Sequence, residues 1–337
     1  MSAATRSAVT PSATTAASNR FVAAHLESAS ALGDRLADLV ADPAAFVAAL
    51  VKGFADLADP TYLAGARTVA PGIGEVLGVR LPLMEAAHKT YRGGTSKASS
   101  SLILDVTDRL MKERLTEARW FGMWSLEGLL ATDPERTWQL MRRAAAESTE
   151  WISIDTLAHP YGAGILRDAR RWAELEQLVY SGSRWERRLV GSTVATLPHV
   201  KVRGDGVRAS GRDPIVARRG LALMGQLMGD AEPDVQKALS WALRALATLD
   251  PAPTTAFLEA ETQTARRTGD GHRAWVIRES LQKLPVETAA RLRVGLEGIR
   301  RVPNSPSTSN ASATAAAFLA TGTASYAGHT LPEASAK

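Results

Sequence analysis

EARWFGMWSLEGLLATDPERTWQLMRRAAAE (Glu117–Glu147) decides the fold class. Leu126, Leu129, Leu130, Leu140 and Met141 recur at helical spacing, the pattern of an amphipathic helix. An Asp-Pro pair, Asp133-Pro134, divides the run. Aspartate before a helix caps its free N–H groups, and proline suits the first helical position. The same punctuation recurs at Asp42, Asp59, Asp213 and Asp250, each followed by Pro. Strand signals are nearly absent between Phe21 and Arg301. The spacing predicts short paired helices without a strict repeat, an all-α chain of α-solenoid type. HEAT-like repeats of about 40–47 residues would give roughly six units, and a compact helical bundle is the alternative.

Domain limits follow from composition. Residues 21–302 carry the helical pattern. Residues 1–20 are rich in Ser, Thr and Ala without an apolar core, and residues 303–337 lack periodicity; both read as disordered tails. No run approaches the length of a membrane span. The chain has no cysteine, so it holds no disulfide and no thiolate metal site, which fits a reducing interior. Its six histidines show no ligand spacing, and neither a Gly-x-Ser-x-Gly elbow nor a phosphate-binding loop is present. PGIGEVLG (Pro71–Gly78) misses the dinucleotide fingerprint by one residue and reads as a turn.

Charge is uneven. The formal net charge is +5, yet residues 184–219 alone hold nine Arg or Lys against three acids, and residues 266–301 nine against four. Arginine outnumbers lysine, and its forked guanidinium suits phosphate oxygens. A basic second half points to nucleic acid; solvated helix faces are the plainer explanation.

Three stretches carry candidate chemistry. STEWISIDTLAHPYG (Ser148–Gly162) sets Trp151 and Asp155 four residues apart, on one helix face. SRWERRLVGS (Ser183–Ser192) supplies Trp185, Arg187 and Arg188; the two arginines are adjacent and cannot both face one groove. VQKALSWALRALA (Val235–Ala247) aligns Lys237, Trp241 and Arg244 on one face. Taken singly, each Trp reads as packing, Asp155 as a cap or ion-pair partner, and His159 and Tyr161 as local packing or groove lining.

Together these stretches resemble the HEAT-like-repeat DNA glycosylases that excise alkylated bases, the AlkD-like DNA alkylation repair family. The likeness begins at LGVRLPLMEAAHKTY (Leu77–Tyr91), continues through residues 119–130, and is clearest in the Trp-x-x-x-Asp, Trp-x-Arg-Arg and Lys-x-x-x-Trp-x-x-Arg motifs. It implies an α-solenoid with a concave basic DNA-binding groove and removal of N3- or N7-alkylated purines from duplex DNA. Asp155 would be the catalytic carboxylate, with Trp151 and Trp241 as walls. Arg188, Arg187, Trp185, Lys237 and Arg244 would grip the backbone. It further implies a monomer in the bacterial cytoplasm and nucleoid that needs no metal or organic cofactor and no membrane, and that grips backbone without a flipped-base pocket. KVRGDGVRASGRDP (Lys201–Pro214) departs from the pattern, being long and basic: an extra DNA-contacting loop or a silent insertion. A non-catalytic HEAT-repeat DNA-binding protein or a protein scaffold would share much of this sequence.

Overall fold

In the computed structural model, residues 13–317 are described, Pro71 and Asp205 excepted. They form sixteen α-helices, a further helical stretch at 310–317 and one two-stranded hairpin, in two compact units that divide between residues 133 and 134. The first unit holds α1 (Ala13–Asp38), α2 (Pro43–Asp56), α3 (Pro60–Val69), α4 (Leu81–Gly94), α5 (Ser100–Met111), α6 (Thr116–Met123) and α7 (Leu126–Thr132). The second holds α8 (Pro134–Glu147), α9 (Trp151–Arg167), α10 (Arg171–Leu178), α11 (Arg184–Thr196), β1 (Lys201–Gly204), β2 (Val207–Ser210), α12 (Pro214–Leu227), α13 (Pro233–Leu249), α14 (Pro251–Thr268), α15 (Gly271–Ser280) and α16 (Val286–Gly295).

All five Asp-Pro pairs stand at helix starts. Asp42, Asp59 and Asp213 each accept a hydrogen bond from a first-turn N–H, at 3.0, 2.9 and 2.8 Å. Asp250 makes no such bond. Asp59 is buried, which opposes ionisation, but Thr61 and Arg80 outweigh that and hold its carboxyl down at about 2.

In the first unit, Phe46, Phe54, Tyr91 and Phe121 interlock as tilted or edge-on pairs, with α1 packed along α4. The Gly72–Gly78 stretch is a turn, with positive φ at Gly72, Gly74 and Gly78. The buried Glu117 carboxylate accepts from the N–H groups of Leu77 and Gly78 at 3.0 and 2.8 Å and holds it.

In the second unit, α9, α11, α13 and α15 lie side by side and run parallel. Arg188 near the start of α11 meets Asp155 of α9 and the first turn of α13, while Gly162 further along α9 meets Leu197 and Val200. Gln236 and Arg244 of α13 pair in the same sense with His272 and Glu279 of α15. α12 and α14 pack against α13. Gly191 permits the close approach of α11 to α13: a Cβ there would sit 2.8 Å from the Ala238 Cβ. Leu189, Val190 and Val194 are fully buried on α11, each burial contributing roughly 1.5–3 kcal/mol.

Three stretches differ from expectation. Residues 201–210 form an antiparallel hairpin, Lys201 opposite Ser210 and Arg203 opposite Arg208, rather than a loop. The reason is local: short alternating runs flank Gly204 and Gly206, whose positive φ closes the turn. Helix α1 already begins at Ala13, inside the segment read as a tail. Residues 305–312, also read as disordered, are docked. The Thr308 N–H donates to Gly229 O at 2.9 Å, its hydroxyl donates to Asp270, and Ser309 and Ala311 are buried. Hydroxyls and backbone hold this segment, not an apolar face. Residues 1–12 and 318–337 of the expected tails lie outside the described residues.

Candidate active site and nucleic-acid interface

Glu150 caps α9 by accepting from the Ser153 N–H at 2.8 Å, and its negative charge suits a helix N-terminus. The first two turns of α9 then place Trp151 and Asp155 on one face. The Arg188 guanidinium grips the Asp155 carboxylate with two bonds, Nε to Oδ1 at 3.1 Å and a terminal nitrogen to Oδ2 at 2.8 Å. Its other terminal nitrogen donates to Asp234 O at 2.8 Å, and its carbon lies 5.8 Å from the Trp151 ring centroid. The Ser192 hydroxyl, one turn beyond Arg188, donates to Asp155 Oδ1 at 2.6 Å. Oδ1 thus accepts twice and Oδ2 once. A carboxylate has about four acceptor positions, so Oδ2 keeps one to offer outward. The pair is asymmetric in exposure: the Arg188 side chain is 6% exposed and that of Asp155 is 19% exposed.

Arg187 points elsewhere. It pairs with the buried Asp230 at 2.7 Å and donates to Ser181 O and Gly182 O at 2.8 and 3.2 Å. Neither arginine stands as a free phosphate clamp; both guanidiniums are consumed in the packing of α11. Trp185 is half-buried beneath Arg184, whose guanidinium carbon is 4.7 Å from its ring. Lys237 is exposed on α13. Trp241 and Arg244 lie further along α13 and line a cavity of about 500 Å³. Arg244 donates to Glu279 O at 2.8 Å, and burial pulls its guanidinium below the usual range. The structure therefore joins Trp151, Asp155 and Arg188 directly and sets Trp241 with Arg244 two turns beyond Asp234. Tyr161 is a packing residue, 2% exposed, its ring centroid 4.8 Å from that of Trp138.

Ser192 and Asp234 belong to this site and carry no motif. Ser192 could have been found from its spacing: four residues after Arg188, it shares that residue's face. Asp234 acts through its carbonyl, which no side-chain pattern reveals. Among the described residues no His, Cys, Asp or Glu cluster could hold a metal ion, and no helix is long and apolar enough to cross a membrane.

Fold and site define a predominantly helical protein in which a carboxylate is gripped by a buried arginine, with half-buried tryptophans nearby. The family described as DNA alkylation repair enzyme matches residues 50–284, more than two thirds of the chain, and this span contains every residue named above as a site candidate. The chain belongs to that family. None of the curated proteins matches it.

Proposed function

We propose that this protein is a DNA glycosylase that removes cationic N3- or N7-alkylpurines from duplex DNA, with Asp155 as its catalytic residue. The observation that carries this is the fixed Asp155 carboxylate, braced from behind by Arg188 and Ser192, with Oδ2 left an acceptor position beside Trp151. Alkylation at N3 or N7 gives the purine a positive charge. When the C1′–N bond breaks, its electron pair goes to the base, which leaves neutral, and positive charge moves to the sugar. A preorganised carboxylate stabilises that oxocarbenium, and its free acceptor position orients the water that adds to C1′ and loses a proton. Trp151 and Trp241 offer π faces to the cationic nucleotide and the sugar. We assign Lys237 and Arg244 to the DNA backbone, a contact that positions without reading sequence.

The same assignment covers the scaffold. The parallel α9, α11, α13 and α15, with α10, α12 and α14 between them, are HEAT-like repeats whose basic face forms the groove. The hairpin adds to it. Arg203 and Arg208 are direct cross-strand neighbours with Lys201 on the same face, and among the described residues none of the three pairs with a carboxylate. Like charges placed opposite each other destabilise a hairpin, a cost that a polyanion relieves. The protein acts as a monomer in the cytoplasm, without metal or cofactor.

One observation favours a second reading. A carboxylate gripped by arginine and serine also suits a purely structural ion pair, as in a non-catalytic DNA-binding relative. The substrate range separates the two. A groove that holds an unflipped nucleotide releases a cationic methylpurine and a bulky cationic adduct from one duplex context, and leaves uracil and hypoxanthine in place. Release of a neutral base, or exclusion of the bulky cation, would point to an enclosed base pocket. No release of any base would leave the non-catalytic reading.

A further inference from the structure

The cavity beside Trp241 is lined by more positive charge than the site at Asp155 uses. Besides Arg244, its walls include Arg212 and Lys283 with the His199 ring, and no carboxylate among the described residues lines it. These groups come from four separate places in the sequence. His199 belongs to the turn after α11, Arg212 to the end of the hairpin, Arg244 to α13, and Lys283 to the turn after α15. Convergence of three cationic groups and an imidazole from four separate places is not what a solvated helix face produces.

Their positions are fixed by the fold. Gly211 packs so tightly on Leu197 that a Cβ there would sit 1.9 Å from its carbonyl oxygen. The Arg212 Nε donates to Pro198 O at 3.0 Å, which holds the guanidinium at the cavity mouth. Arg244 is anchored on Glu279 O and the Ser240 hydroxyl, at 2.8 and 3.2 Å. Neutral oxygens hold both arginines, so neither charge is cancelled. The Glu279 carboxylate acts on Arg244 electrostatically and opposes the effect of its burial. Like charges gathered around a cavity repel one another, and an anion placed between them reverses the sign. One wall is the flat face of Trp241, and the volume of about 500 Å³ lies within the range of small-ligand sites.

We propose that this cavity seats one nucleotide unit, its phosphate held by Arg212, Arg244 and Lys283, with Trp241 as the wall it shares with the nucleotide facing Asp155. With the glycosylase reading above, on which this assignment of its place rests, the occupant is the DNA nucleotide flanking the one that faces Asp155. The geometry agrees. Ala195, which lines the cavity, lies three residues past Ser192 on α11, about 4.5 Å along the helix axis. A DNA strand carries a phosphate roughly every 3.4 Å of axis. A strand laid over Asp155 therefore carries its next phosphates over the cavity.

The test uses the full chain and an undamaged duplex, with affinity followed by fluorescence anisotropy between roughly 50 and 200 mM salt. Lys283→Gln and Arg212→Gln should each flatten the log–log salt slope by about 0.9, the loss of one phosphate contact. Lys283→Glu should flatten it further. Both positions carry exposed side chains, so folding is preserved. Unchanged slopes in all three variants would overturn the proposal. A second arm adds a deoxynucleoside monophosphate as competitor. Displacement of duplex from the parent but not from Lys283→Glu shows that a free nucleotide also fills the seat. Flattened slopes without displacement assign it to DNA-borne phosphate alone. Slopes that fall in a protein releasing no alkylated base would keep the seat and remove the glycosylase reading. Unmoved slopes in a protein that does release it would do the reverse.

Discussion

Replacing Arg188 by Ala should damage stability far more than it damages DNA affinity. The side chain is 6% exposed and makes three hydrogen bonds, two to Asp155 and one to Asp234 O. Its removal leaves Asp155 with the Ser192 hydroxyl alone and leaves the Asp234 carbonyl without that donor. Removing one member of a buried ion pair costs about 3–5 kcal/mol. Asp155 keeps 19% of its side chain exposed, so water recovers part of this and the loss should lie near 3 kcal/mol. For a cooperative unit of this size, that lowers Tm by about 6–12 °C. Urea unfolding of the parent, Arg188→Ala, Asp155→Asn and the double variant measures it as a double-mutant cycle. The double variant should be less destabilised than the two single losses added together, because the uncompensated charge is gone. The salt slope for duplex binding should stay near that of the parent, because Arg188 is neutralised by Asp155 and turned inward. A loss under about 1 kcal/mol with additive single effects would refute the ion pair. A slope flattened by a full phosphate contact would return Arg188 to the backbone grip.

Gly191→Ala puts a methyl 2.8 Å from the Ala238 Cβ, and overpacking of this kind costs about 1–3 kcal/mol; an unchanged urea midpoint would mean that α11 and α13 are further apart. Burial first, and Arg92 second, press His88 from 6.5 down to about 4. The unfolded chain therefore takes up the proton first, so this contribution is complete above pH 6.5 and is lost as pH falls towards 4. The loss reaches about 3 kcal/mol, and His88→Gln should flatten that part of the Tm–pH curve; parallel curves would contradict the burial. A chain ending at Val302 should melt below one ending at Ala317, because it loses the Thr308 bonds to Gly229 and Asp270 and the contact of His272 with Ser305. At about 1 kcal/mol per bond the deficit is some 2–3 kcal/mol, and equal melting temperatures would show that the segment contributes nothing.

Helix starts were the most legible feature, because Asp-Pro acts within one turn and needs no distant partner. The hairpin was harder: Lys201–Gly204 and Val207–Ser210 are too short for an alternation signal, although Gly204-Asp205-Gly206 between them was the available turn cue. Docking of residues 305–312 left no trace in hydropathy, since it runs through Thr308, Ser309 and backbone groups. At the site, the i, i+4 spacing of Trp151 and Asp155 was enough to place them together. Adjacency of Arg187 and Arg188 was enough to say that they diverge. What each arginine meets was beyond the sequence, because Asp155 and Asp230 lie 33 and 43 residues away and are brought there by helix packing. The same holds for the cavity, where Arg212, Arg244, Lys283 and the His199 ring share no local motif.

The central claim is that Asp155 does chemistry rather than merely holding Arg188. Its most direct test is single-turnover release of a methylated purine from alkylated duplex DNA by the parent and by Asp155→Asn, with Tm and duplex affinity measured on the same samples. The amide keeps the shape and its one oxygen can still accept from Arg188 Nε and Ser192, but its NH2 cannot accept from the second guanidinium nitrogen and it carries no charge to oppose the oxocarbenium. The account predicts base release by the parent and a rate on the order of a hundredfold lower or more in the variant, with the variant still folded and still bound to DNA. Equal rates, or no release by the parent under conditions where it binds, would contradict it.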